Sequence, residues 1–211
     1  MYPVAAAAVL AHALIELGDL AGARAALDDE NPADRGAEWT MLLGARGRLL
    51  LAEHDPSGAI AELEECGRML AQVGVPTRPQ PWRSLAALAA AALGEPARAE
   101  RLAAEELADA RMVGAPRPIG VALRTAGLLA GGARGIELLR EAVDTLARSD
   151  AQLELARALI DLGATQRRAG ERAASRGPLQ QGLELAHSFN AAPLVSQAQQ
   201  ELKATGARPR R

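Results

Sequence analysis

Apolar residues along this 211-residue chain recur three and four positions apart, in runs broken at regular intervals by glycine, proline and acidic residues. The period predicts helices and the breaks predict their pairing: 3–17 with 20–29, 37–52 with 56–73, 81–92 with 96–113, 117–130 with 133–148, and 151–168 with 171–189. A single helix, 193–204, follows. Its Leu194, Ala198 and Leu202 form one stripe while Gln197, Gln199, Gln200 and Lys203 face away, the pattern of a helix that caps an array. Gly18, Gly94 and Gly170 fall in turns inside pairs, and His54-Asp55 is the polar turn of the second pair. Gly74-Val75-Pro76 and Gly114-Ala115-Pro116 end the second helix of a pair, with glycine taking a left-handed stop and proline blocking continuation.

The pairs share a register. In each second helix a small residue (Ala23, Ala59, Ala99, Gly135, Ser175) is followed four positions on by Leu27, Leu63, Ala103, Leu139 or Leu179, with spacings of 36, 40, 36 and 40. Twelve positions upstream, the first helices show Ala11, Gly47, Ala87 and Gly163, with Leu123 the one departure. Small residues where two antiparallel helices cross let the backbones approach, and the leucines fill the space between pairs. One such pair cannot bury its own faces, so the expected fold is all-α: a right-handed α-solenoid of about five pairs over residues 1–205, with 206–211 as a basic tail or linker stub.

Composition narrows the class. Ala (49) and Leu (32) make up 81 residues, whereas Val, Ile and Thr total 19 and the aromatic residues four, which argues against a β or α/β domain. The near-neutral total hides an asymmetry: residues 1–109 carry a net −8 and residues 110–211 a net +6. Cys66, the only cysteine, cannot form an internal disulfide, and the apolar start has neither the length of a membrane span nor the basic lead of a signal peptide. A cytoplasmic protein without a membrane partner is expected.

No enzyme constellation is visible. His12, His54 and His187 lie in three different pairs, and none has a second histidine or a cysteine at metal-ligand spacing. There is no GxxxxGK[ST] phosphate loop, and Lys203 is the only lysine. Cys66 sits where Ala142 and Gly182 sit in other pairs, as a small buried residue would. The acid runs Asp28-Asp29-Glu30, Glu62/Glu64-Glu65 and Glu105-Glu106 with Asp109 lack calcium-loop spacing and read as solvated helix faces paired with arginines. The chain is expected to be non-enzymatic, without metal or cofactor.

The glycine, small and apolar positions resemble the tetratricopeptide repeat in a lengthened form. The stretches 81–132, 137–191 and 201–211 (ELKATGARPRR) resemble, more specifically, the tetratricopeptide region of the large ATP-binding, MalT-like LuxR-type transcriptional regulators of actinobacteria. This resemblance covers residues 37–211 well and 3–30 more loosely. It implies a sensing segment that couples a partner or effector to a helix-turn-helix domain this sequence does not contain; the alternative is a free-standing adaptor that clamps a peptide or a partner domain. The chain alone is expected not to read a DNA sequence.

Carried over from the repeat family, the concave-groove positions are His12, Glu16, Met41, Arg48, Ser84, Leu88, Arg117, Arg124, Arg157, Arg167 and Arg168. The candidate binding residues are Arg48, Arg117, Arg124, Arg157, Arg167 and Arg168, and the partner they suit is an acidic protein or peptide, or a small effector. Arginines are also ordinary surface residues in an arginine-rich chain, so that reading stays open beside the first. The first helix, PVAAAAVLAHALIEL, has no sustained polar face. It is expected to be covered by an upstream helix pair of a longer parent or to self-associate.

Overall fold

The computed structural model describes residues 4–28, 37–73 and 81–206, and among these it contains eleven helices and no strand. They are α1 (Val4–Leu17), α2 (Leu20–Asp28), α3 (Trp39–Ala52), α4 (Pro56–Val73), α5 (Trp82–Ala92), α6 (Pro96–Val113), α7 (Pro116–Ala130), α8 (Gly132–Leu146), α9 (Gln152–Arg168), α10 (Arg172–Ser188) and α11 (Ala192–Ala204). The predicted helices agree with these bounds to within a few residues. The stop at Gly74-Val75-Pro76, the acids Asp29 and Glu30, and residues 207–211 of the tail lie outside the described residues.

The chain divides into two compact units, Met1–Asp109 and Ala110–Arg211. The boundary falls where the net charge changes sign. In the first unit α1 packs on α2 and α3 on α4, and the first helices lie side by side, α1 on α3 and α3 on α5. In the second unit α7 packs on α8 and α9 on α10, and α7, α9 and α11 form the corresponding row. Each unit therefore presents a face made of first helices.

All ten register residues of the second helices are buried; Leu63, Leu139 and Leu179 are wholly inaccessible and Leu27 nearly so. The crossings are as close as the small residues suggest. A methyl group on Gly47 would stand 2.5 Å from Leu63 Cγ, and one on Gly163 would stand 2.5 Å from Leu179 Cγ and 2.9 Å from the Ser175 carbonyl oxygen. Leu123 departs from the pattern because the connection in its pair is shorter. Only Gly131 separates α7 from α8, against three residues at the α3–α4 and α9–α10 turns. The close approach moves one helical turn along, to Gly127, where a methyl group would lie 2.8 Å from Leu139 Cγ and 3.1 Å from the Gly135 carbonyl oxygen.

Four of the five turns inside pairs share a left-handed residue followed by an acid: Gly18-Asp19, His54-Asp55, Gly94-Glu95 and Gly170-Glu171. His54 adopts φ 63°, so the second pair gives to a histidine the conformation its neighbours give to glycine. In the first two of these turns the aspartate side chain caps the next helix: Gly22 N–H donates to Asp19 Oδ1 at 2.8 Å, and Gly58 N–H to Asp55 Oδ1 at 2.9 Å.

Candidate functional site

In the second unit the helical repeat places Glu154, Arg157, Asp161 and Arg168 on one face of α9, and Arg117 and Arg124, seven residues apart, on one face of α7. Arg124 Nε donates to Asp161 Oδ2 at 2.5 Å, with the two side chains 18% and 9% exposed. Gln197 of α11 donates to the other oxygen of Asp161 at 3.4 Å. Arg157 pairs with Glu154 at 3.6 Å, and Arg167 with Glu201 of α11, a hydrogen bond that raises the guanidinium pKa above its ordinary value. Arg168 donates to Thr165 Oγ1 at 3.0 Å. Arg117 and Arg168 are exposed, and neither forms an ion pair with a described residue.

The face is thus a seam of alternating sign rather than a bare cationic strip. Arg124, Arg157 and Arg167 already have carboxylates of their own chain; Arg117 and Arg168 are the cations an incoming acid meets first.

The first unit repeats the device once, with Arg48 of α3 hydrogen-bonded to Glu16 of α1. His12 Nδ1 lies 2.7 Å from the Ala8 carbonyl oxygen, a bond within its own helix. Met41 and Leu88 are half-buried. Ser84 is 2% exposed and is not presented to a ligand, which corrects its placement among the groove positions.

Glu106 corrects the reading of its acid run. Glu105 and Asp109 do pair with an arginine, Arg83, at 3.5 and 2.9 Å. Glu106, however, is largely buried, and burial pushes its pKa up to about 7, with Asp109 adding to the rise. Arg83 and the backbone N–H groups of Arg83 and Ser84 pull the other way. Those N–H groups open α5, whose preceding cap residue Pro81 offers no side-chain acceptor, so Glu106 of α6 supplies it. The signal was in the register: forty residues after Cys66 and thirty-six before Ala142, position 106 is a small-residue site.

Cys66 is fully buried, and its thiol donates to the Thr40 carbonyl oxygen at 3.3 Å. Among the described residues no group of three or more His, Cys, Asp or Glu side chains stands where it could hold a metal ion, and no helix is long and apolar enough to cross a membrane.

No family model and no curated protein matches the chain. Among solved structures it is similar to BtubC (BKLC) from P. vanneervenii, at 17% identity and a TM-score of 0.58, over 99% of this chain and 85% of that one. It is also similar to a set of nearly identical TPR-like repeats from Podosopora anserina, named for kinesin light chain, at 16% identity and a TM-score of 0.48, over 92% of this chain and 99% of that one. The fold is an all-α array of tetratricopeptide-like helix pairs, of the α-solenoid class.

Proposed function

We propose that this chain is a non-enzymatic protein-interaction module that takes an acidic protein or peptide, or a small acidic effector, on its first-helix face. The observation that carries the reading is the row of arginines on α7 and α9, in the unit with the positive net charge, with Arg117 and Arg168 exposed and Arg124 paired to Asp161. In this reading a partner carboxylate that takes over Arg124 releases Asp161 from its bond between α7 and α9. A ligand shifts a conformational equilibrium only through unequal contact with two states, and exchange at this pair is such a contact.

The resemblance of residues 37–211 to LuxR-type regulators supports a place for the module, in the cytoplasm, as the segment that couples ligand binding to a DNA-binding domain. Residues 1–205 then act as one repeat domain, with 206–211 as a basic link. The alternative is a free-standing adaptor that clamps a peptide or a partner domain. A helix-turn-helix reading frame directly downstream of the coding sequence favours the regulator.

Fluorescence anisotropy tests the proposal, using a labelled glutamate-rich peptide and, separately, labelled duplex DNA, at low and at physiological salt. The peptide is expected to bind and to weaken as salt rises, and DNA to bind weakly and without sequence preference. Failure of the peptide to bind at low salt, or sequence-specific DNA binding at physiological salt, overturns it.

A further inference from the structure

We propose that two copies of this chain associate through the outer stripe of α1, packed antiparallel about a two-fold axis. One side of α1 is spent on the core: Val4, Ala7, Ala8, Ala11 and Ile15 are buried. The opposite side carries Ala6, Val9, Leu10, Ala13 and Leu17, all exposed, with Val9 at 59%, Leu10 at 39% and Leu17 at 50%. Their spacing of three, four, seven and eleven from Ala6 makes one continuous stripe. It contains no charge, and Glu16, the acid on the flank of α1, is already bonded to Arg48.

The fold uses this side of a first helix for packing. Thirty-six residues on, three of the five equivalent positions of α3, Leu42, Ala45 and Leu49, are 0%, 0% and 3% exposed in a helix that packs against α1, while the other two are Arg46, which donates to the Leu27 carbonyl oxygen, and Glu53, paired with Arg24.

The pattern is complementary to itself. Positions 6, 10, 13 and 17 are symmetric about the midpoint between Ala11 and His12, and they alternate small and large. A two-fold axis there sets Leu10 against the partner's Ala13 and Ala6 against the partner's Leu17, so each leucine enters the gap above an alanine. A parallel pairing instead sets leucine on leucine. A fourteen-residue helix is about 21 Å long. One stripe of that length offers less than the roughly 800 Å² per partner of a stable interface, so the association is weak and concentration-dependent.

Sedimentation of the whole chain from about 5 μM to about 1 mM reads this directly. The mean mass is expected to climb from monomer toward dimer. L10E, at a position already exposed, is expected to stay monomeric throughout while keeping its helical circular dichroism. A13L separates a fitted interface from general stickiness: it adds apolar surface but fills the slot for the partner's Leu10, so dimerisation should weaken at least tenfold. An equimolar mixture of the single variants L10C and A13C should cross-link into mixed dimers on mild oxidation, with Cys66 too buried to take part. A wild-type chain that stays monomeric, dimerisation that survives L10E, stronger association in A13L, or no cross-linked dimer in the mixture of L10C and A13C overturns the proposal.

Discussion

Arg124 of α7 donates to Asp161 of α9 at 2.5 Å, across the line where two successive first helices meet. The same relationship joins Arg48 of α3 to Glu16 of α1, and Arg167 of α9 to Glu201 of α11. Two kinds of contact thus hold each unit. Small residues set the crossing inside a pair, and ion pairs set the register between neighbouring first helices. Arg124→Met strands Asp161, which is nine-tenths buried, and should lower stability by about 3 kcal/mol. The double variant R124M/D161N should regain most of that loss. Urea unfolding of the three proteins checks both statements.

Glu106 makes stability fall as pH rises. Its folded pKa is about 7 against an ordinary 4.5, so between these values the folded protein holds a proton that the unfolded chain has released. The stabilisation is complete below about pH 4.5 and lost as pH rises through about 7, a change on the order of 3 kcal/mol. Glu106→Gln should flatten this part of the profile. Unfolding curves at pH 5 and pH 8, wild type beside E106Q, give the comparison.

Gly163→Ala must displace Leu179 or the backbone at Ser175 and should cost about 1–3 kcal/mol. Gly177→Ala, in α10 with nothing within 4 Å of the added methyl beyond its chain neighbours, should cost much less, because the gain in helix propensity offsets the crowding of the new methyl against Pro178. Thermal unfolding in which Gly163→Ala loses clearly more than Gly177→Ala supports the close crossing of α9 and α10.

His54→Gly should stabilise the second pair by roughly 0.5–1 kcal/mol, because only glycine adopts φ near +60° without a steric penalty. Gly170→Ala should destabilise the fifth pair by a similar amount for the converse reason. Chemical denaturation measures both.

Helices, pairing and crossing points were legible in the sequence because each is a local or periodic property: the apolar period, the turn residues, and small residues at a fixed offset. Leu123 was not explained by that offset, because counting along the chain assumes equal turns and the α7–α8 turn is short. The candidate site was legible only as a set of arginines. Their partners, Asp161 for Arg124 and Glu201 for Arg167, lie 37 and 34 residues away and become visible only when first helices are set side by side. Glu106 was legible through the register of Cys66, Ala142 and Gly182, yet its neighbours Glu105 and Asp109 made the run look like a solvated face.

The most direct test of the first-helix face as a binding surface is the affinity for a labelled glutamate-rich peptide in two charge-reversed proteins of equal net charge. Arg117→Glu with Arg168→Glu alters exposed arginines of α7 and α9, whereas Arg134→Glu with Arg172→Glu alters exposed arginines of the second helices α8 and α10. Both pairs sit on the surface, so folding should be unaffected in each. A loss of at least tenfold in the first protein, about 1.4 kcal/mol, with little change in the second is the predicted result. An equal loss in the two, or none in the first, would contradict the assignment of the ligand to this face.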